Sequence, residues 1–197
     1  MTHVRYLKEN NIRYRTLSAT EIPRFINAAT ALQTPAADSI LLALYTGMRI
    51  GEVCTLKWEY WHPDMHQLIL PDTKSGHPFT CPLAPPAIAV VQCQQDLMLS
   101  KTYIFPQLTD NARPLAYPRA TFARICRDAN IDNLRMHDLR RTFATRVLQA
   151  TGDIAIASHL LNHHSLTATR RYAFHNAATS HAVVSQVIES YDTKMNL

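Results

Sequence analysis

The chain has 197 residues, of which 47% are hydrophobic and 18% charged, so a disordered or fibrous protein is excluded and one domain with a buried core is expected. No apolar run approaches the ~20 residues of a membrane span, and the N-terminus lacks the apolar stretch of a secretory signal. The four cysteines show no C-x-x-C spacing, and this pattern indicates reduced thiols in a cytosol. The net charge of +5 permits a polyanionic partner without requiring one.

The N-terminal part of the chain predicts two helices that follow a polar arm. Residues 1–15 are basic and polar, so we expect a linker or arm there and one folded domain over 16–197. Ser18 and Glu21 have the spacing of a capping box, which marks the start of a helix. Pro35 begins a second helix, and Gly47 ends it, as a C-terminal glycine does.

The pattern then changes to short aromatic and apolar runs. Residues 58–61, 67–70 and 79–83 alternate with turn-forming segments and predict a small antiparallel sheet, with a turn at Ser75 and Gly76. Two prolines at 85 and 86 begin a helix that runs to about residue 99.

From Tyr117 onward the apolar residues recur with helical period. Leu139, Phe143, Val147 and Ala150 mark one helix, which Gly152 closes, and further helices are predicted over 154–161, 166–174 and 183–191. The predicted fold is therefore mainly α with a small antiparallel β-sheet (α+β). The chain contains neither a P-loop nor a G-x-G-x-x-G motif, so no nucleotide cofactor is expected.

Three polar segments could carry chemistry, although each has a plain structural interpretation on its own. His137 and Arg140 share one face of a helical first turn and could be ordinary surface charges. Arg49 follows the glycine that ends a helix and could simply complement the helix dipole. Tyr172 lies nine residues after His163, and its phenol would be a poor nucleophile unless positive groups flank it.

Taken together, the segments resemble the catalytic domain of the tyrosine recombinase (phage integrase) family. The family has an Arg in a T-G-x-R-x-x-E turn, a Lys in a hairpin, H-x-x-R, a second His, and a Tyr nine residues later. The same order and spacing occur here, with T-K-S-G for the hairpin, at Arg49, Lys74, His137, Arg140, His163 and Tyr172. The resemblance implies the tyrosine recombinase catalytic-domain fold and makes these six residues the expected catalytic set.

The resemblance also implies a mechanism. Tyr172 would attack a DNA phosphodiester and leave a 3′-phosphotyrosine bond and a free 5′-hydroxyl, while Arg49 and Arg140 hold the non-bridging oxygens. Because the covalent link stores the bond energy, rejoining would need neither ATP nor a metal, and no cofactor is expected.

The remaining three residues would move protons and support the phosphate. Lys74 would be the general acid for the leaving 5′-oxygen. His137 would assist deprotonation of the tyrosine or steady the phosphate, and His163 would donate a hydrogen bond to it.

Two positions depart from the family pattern, and one cluster allows another interpretation. Asn162 replaces the glycine before His163, and because Asn tolerates a left-handed backbone we expect the local geometry to survive. Arg141 replaces a common His and adds charge, with the DNA backbone as a possible contact. His159 and His164 could join His163 in a zinc site, but chance in a His-rich chain explains them better.

The resemblance leaves the biological setting open. The partner would be double-stranded DNA at an attachment-type site. The protein would be a monomer without DNA and would assemble into a tetramer on it, in the bacterial cytoplasm. The chain would be either the catalytic domain of a longer prophage or island integrase or a naturally short recombinase. A tail over about 176–197 would pack on its own domain or on a neighbouring protomer. The alternatives in function are a type IB topoisomerase and a decayed, DNA-binding relative.

Overall fold

A computed structural model describes residues 14–71 and 78–162 of the chain, and the predicted Ser75–Gly76 turn and the predicted helices over 166–174 and 183–191 lie outside those residues. Seven helices and one sheet are described. The helices are α1 (Glu21–Thr30), α2 (Pro35–Thr46), α3 (Ile50–Cys54), α4 (Pro85–Leu97), α5 (Arg119–Asp128), α6 (Met136–Thr151) and α7 (Ile154–Leu160). The strands are β1 (Trp61–His62), β2 (Gln67–Leu70) and β3 (Phe79–Pro82). The mainly α fold with a small antiparallel sheet is thus confirmed.

Helix α2 lies at the centre of the domain. It packs against α1, α3, α4, α5 and α6, and most of its side chains are buried, as expected for a helix that is apolar on nearly all sides. The Thr34 hydroxyl accepts a hydrogen bond from the Ala37 N–H, and Pro35 occupies the first turn. The helix ends at Gly47, whose φ of 68° gives the left-handed cap predicted from the sequence.

Helix α1 begins where the capping box predicts. The Ser18 hydroxyl accepts from the Glu21 N–H at 3.1 Å, and the Glu21 carboxylate accepts from the Ser18 N–H at 2.8 Å. The chain just before α1 is fixed to the domain as well. Arg15 forms two hydrogen bonds with the Glu21 carboxylate, and the Leu17 N–H donates to the Thr142 hydroxyl of α6 at 2.9 Å.

The sheet is antiparallel, in the order β1-β2-β3. Leu68 and Leu70 of β2 lie opposite Cys81 and Phe79 of β3, and all four are buried, so one face of the sheet covers the core. The first predicted strand is shorter than expected. Residues 58–60 form a 3₁₀ turn instead, and pairing begins only at Trp61.

The backbone before β1 pairs with a distant segment of the chain. The Trp58 N–H donates to the Thr102 carbonyl at 3.0 Å, and the Ile104 N–H donates to the Leu56 carbonyl at 2.9 Å. Ile104 and Phe105 are fully buried, which anchors this segment to the core. The pairing explains why residues 57 and 58 are not available to extend β1.

The four cysteines are all free, and Cys54 and Cys81 are buried. Burial raises the pKa of the Cys54 thiol to about 11, which is typical of a structural thiol. Within residues 14–71 and 78–162, no helix is both long enough and apolar enough to span a bilayer.

Candidate active site

Three of the six predicted catalytic residues lie on one cavity. The cavity has a volume of about 920 Å³, and Arg49, His137 and Arg140 all contribute to its lining. Arg49 comes from the turn between α2 and α3, and the other two come from the first turn of α6. The fold therefore brings together residues that are far apart in the sequence. Lys74, His163 and Tyr172 lie outside the described residues.

The position of Arg49 follows from the end of α2. Gly47 turns the chain, Met48 is buried, and Arg49 becomes the N-terminal cap of α3 with its side chain 49% exposed. Glu52 then holds the arginine at two points. Its carboxylate accepts from the Arg49 N–H at 3.1 Å and from the guanidinium Nη1 at 2.9 Å. The T-G-x-R-x-x-E motif contains this glutamate, but its contact with Arg49 was not predicted from the sequence.

Arg140 is far more buried than a surface charge would be, since only 3% of the residue is exposed. Its guanidinium donates from Nη1 to the Gly47 carbonyl at 2.7 Å and from Nη2 to the Leu161 carbonyl at 2.5 Å. These carbonyls lie at the C-terminal ends of α2 and α7. Arg140 therefore connects the chain next to Arg49 with the chain next to Asn162, and the interpretation of this position as a solvated helix start is wrong.

Position 47 requires a glycine for a steric reason. An added Cβ at Gly47 would lie 2.4 Å from Cδ1 of Phe143 and 3.0 Å from Cδ2 of Leu161. Such distances are well below a normal carbon–carbon contact of about 3.5–4.0 Å. The close approach of the three residues places the Gly47 carbonyl where Arg140 reaches it.

The pKa of His137 is lowered from its ordinary value. Part of the side chain is open to the cavity, but surrounding protein displaces water from the imidazole, and this desolvation is the largest cause. The positive charges of Arg140, Arg141 and Arg49 lower the pKa further, while Asp138 opposes them. The lowered pKa favours the neutral imidazole, the form that can accept a proton or a hydrogen bond.

The two departures from the family pattern have different outcomes. Asn162 has a φ of 49°, so the left-handed backbone expected at this position is confirmed, and the residue lines the cavity. Arg141 differs from expectation. Its side chain is only 17% exposed, Nη1 lies 3.7 Å from Oδ1 of Asp138, and this buried nitrogen has no hydrogen-bond partner among residues 14–71 and 78–162. The charge of Arg141 acts on the site through His137, whose pKa it lowers.

A further part of the cavity lining was not predicted from the sequence. It is formed by Lys57, Tyr60, Tyr103 and Tyr117, a set that we call the aromatic wall. Its members come from separate segments, none of which has a recognisable motif. Tyrosines next to basic residues in the 57–60 and 117–119 segments were the only signal available.

Comparison with known proteins gives a consistent result. The model of the phage integrase family matches residues 15–179. Tyrosine recombinase XerC of Xanthomonas campestris pv. campestris (strain B100) is 28% identical over 166 residues, which cover 80% of this chain and 50% of that protein. The chain thus spans about half the length of this curated relative.

Solved structures agree on the fold. The crystal structure of XerA recombinase superposes with a TM-score of 0.72 at 26% identity, over 87% of this chain and 62% of that one. The crystal structure of a lambda integrase tetramer bound to a Holliday junction superposes with a TM-score of 0.67 at 21% identity, over 83% of this chain and 49% of that one. Since the family model spans most of the sequence and the fold agrees with that of XerA, this chain belongs to the phage integrase family of tyrosine recombinases.

Proposed function

We propose that the chain is the catalytic domain of a site-specific DNA recombinase that breaks and rejoins strands through a 3′-phosphotyrosine intermediate. The observation that carries the proposal is the convergence of Arg49, His137 and Arg140 on one cavity in a member of the phage integrase family. Two arginines and a neutral imidazole form a set that can bind a phosphodiester and move a proton beside it.

The two arginines would hold the non-bridging oxygens of the phosphate. Negative charge builds on these oxygens in the transition state, and donors that are already in place stabilise it without reorganisation. Arg140 is fixed by two backbone carbonyls, and Arg49 is fixed by Glu52. Both guanidinium groups are therefore held before DNA binds, which supports their assignment as phosphate ligands.

The remaining assignments come from the family motif. The Tyr172 oxygen attacks phosphorus, the bond from phosphorus to the 5′-oxygen breaks, and Lys74 gives that oxygen a proton. His137, neutral in the free protein, accepts the tyrosine proton or steadies the phosphate, and His163 donates a hydrogen bond to the phosphate. In the reverse step a 5′-hydroxyl attacks the phosphotyrosine and Tyr172 leaves, so the number of phosphoester bonds is conserved.

The substrate we propose is double-stranded DNA at an attachment-type site, in prophage or island integration and excision. The net charge of +5 favours a polyanion, and the lambda integrase tetramer of similar fold is bound to a DNA junction. By the same likeness we propose a monomer without DNA and a tetramer on it. Phosphate contacts would dominate the affinity of this domain, which makes its binding steeply dependent on salt.

The test is capture of the covalent intermediate. The protein is mixed, in EDTA, with a pool of nicked duplexes of randomised sequence, in which the short 5′ fragment diffuses away after cleavage and prevents rejoining. Protein-linked DNA is recovered under denaturing conditions and sequenced. A linked product that is absent with Tyr172→Phe supports the proposal and reveals the preferred site. Absence of any linked product with the unaltered protein would indicate a decayed, DNA-binding relative.

A second arm separates recombination from topoisomerase activity. The recovered sequence is placed in two supercoiled plasmids, and recombinant products are scored alongside relaxation. Relaxation without recombinant products would assign the chain to type IB topoisomerase chemistry instead.

A further inference from the structure

The aromatic wall is built on backbone pairing and is therefore held firmly. Lys57 and Tyr103 face each other across an isolated antiparallel bridge, and hydrogen bonds from Trp58 and Ile104 lie on either side of it. Further along, the Leu115 N–H donates to the Phe105 carbonyl at 2.9 Å, which brings the segment leading to Tyr117 against the same region. The rings are thus placed by the core rather than by a free loop.

The wall combines aromatic rings with positive charge. The Lys57 ammonium lies 5.8 Å from the centre of the Tyr60 ring, and the Arg119 guanidinium lies 5.4 Å from the centre of the Tyr117 ring. Both distances are within the range of cation–π attraction. Tyr117 is 50% exposed, so much of its ring is available to a ligand. Rings and cations in this arrangement are typical of surfaces on which nucleobases stack.

The cavity that the aromatic wall and the arginines line is large enough for a nucleotide. A volume of about 920 Å³ lies within the range in which proteins bind small molecules. Bases in a stacked duplex offer only their edges to a protein, whereas an unpaired base offers its whole face. The wall is therefore matched to a base that has left the duplex.

We propose that the aromatic wall binds an unpaired nucleotide, with its base stacked on the exposed Tyr117 ring and its phosphate directed toward Arg49 and Arg140. The inference rests on the proposed function, because strand exchange requires the nucleotides beside the broken phosphodiester to leave their duplex. It assigns to the aromatic wall a base-binding role for single-stranded DNA, on the same cavity as the arginines that would hold the reacting phosphate.

The test measures DNA binding without cleavage. The anisotropy of a fluorescein-labelled oligothymidylate of about ten nucleotides is compared with that of the matching duplex at fixed salt. Tyr117→Leu removes the ring, Tyr117→Phe keeps it, and Tyr14→Leu alters a tyrosine that is 54% exposed and does not line the cavity. Thermal melting of each variant confirms that it is folded.

The expected result is specific to the ring and to unpaired DNA. Tyr117→Leu weakens binding of the single strand by about 5- to 150-fold, while Tyr117→Phe, Tyr14→Leu and binding of the duplex change by less than about two-fold. An unchanged single-strand affinity in Tyr117→Leu overturns the proposal. Equal losses of affinity in Tyr117→Leu and Tyr117→Phe also overturn it, since they indicate that the hydroxyl matters rather than stacking. Equal losses of affinity for the single strand and the duplex overturn it as well.

A measurement on the unaltered protein provides a second check. An oligonucleotide that contains 5-iododeoxyuridine is bound and irradiated, and the adduct is located by mass spectrometry. An adduct on Tyr60, Tyr103 or Tyr117 supports stacking, and adducts only elsewhere contradict it. Neither measurement involves strand cleavage, so the subsite can stand if no covalent intermediate is found, and it can fail while recombination stands.

Discussion

The junction around Gly47 allows a stability prediction with an internal control. Gly47 and Gly152 end helices α2 and α6 in the same way, with φ values of 68° and 66°. Their surroundings differ, because a Cβ at Gly47 would meet Phe143 and Leu161, whereas no atom of the described residues lies within 4 Å of a Cβ at Gly152. Replacing each glycine by alanine therefore separates the backbone cost from the steric cost.

The expected magnitudes follow from these two environments. A left-handed alanine costs about 1–2 kcal/mol relative to glycine, and this is the whole effect expected for Gly152→Ala. Gly47→Ala adds the overlap with Phe143, where the Cβ would lie 2.4 Å from Cδ1. Overpacking of a core costs about 1–3 kcal/mol, so Gly47→Ala should lower the free energy of unfolding by about 2–5 kcal/mol in total.

Urea unfolding followed by tryptophan fluorescence measures both variants. The two tryptophans of the chain, Trp58 and Trp61, lie beside the sheet and report on the core. The m-value should stay unchanged, so that a lower midpoint reports a lower stability. Phe143→Ala should relieve the overlap. The loss of unfolding free energy in the double variant Gly47→Ala/Phe143→Ala should then be smaller than the sum of the two single losses by about 1 kcal/mol or more.

Two results would refute this reasoning. If Gly47→Ala costs no more than Gly152→Ala, Phe143 and Leu161 move aside freely and the junction is not tight. If Phe143→Ala and Gly47→Ala are additive, the cost at Gly47 does not come from contact with that ring.

Three further predictions concern other parts of the domain. Desolvation raises the pKa of Asp38 to about 6, although the hydrogen bond from Gln94 opposes the shift, so the stability associated with the protonated carboxyl is lost as pH rises from about 4 through 6. In urea unfolding, Asp38→Asn should therefore raise the free energy of unfolding by about 1–2 kcal/mol at about pH 8 and by little near pH 4. An equal increase at both pH values would contradict the assignment. Glu52→Gln should change the free energy of unfolding by less than about 1 kcal/mol, because the ion pair with Arg49 is partly exposed. The same variant should form the covalent DNA complex about 10- to 100-fold more slowly, and an unchanged rate would show that Glu52 does not position Arg49. Gly51 lies in α3, and no atom within 14–71 and 78–162 comes within 4 Å of its Cβ position. Gly51→Ala should therefore raise the free energy of unfolding by about 0.4–1 kcal/mol, and a loss of stability would indicate an unrecognised contact.

Helix boundaries were predictable wherever local chemistry determines them. Pro35 and Gly47 bound α2, and the reciprocal hydrogen bonds of Ser18 and Glu21 precede α1, because these residues satisfy or prevent backbone hydrogen bonds within one turn. The first strand was overestimated, since the backbone of Trp58 pairs with a segment more than forty positions away in the chain, as its bond to Thr102 shows. No local pattern encodes such a pairing.

The site was predictable only in part, for a related reason. The resemblance to the family predicted a catalytic role for Arg49, His137 and Arg140, and the fold places all three on one cavity. The burial of Arg140 was not predictable, because its acceptors are backbone carbonyls that any sequence possesses. The aromatic wall was missed because it is assembled from segments that meet only in three dimensions.

The way in which Arg140 is held has a consequence for the electrostatics of the cavity. Its guanidinium donates to the carbonyls of Gly47 and Leu161, which end α2 and α7, where the helix dipole is negative. Carbonyl oxygens carry partial charges only, so they stabilise the buried cation without cancelling its formal charge. Because Arg140 lines the cavity, the field of its guanidinium reaches that space and adds to the attraction of an anion that enters it.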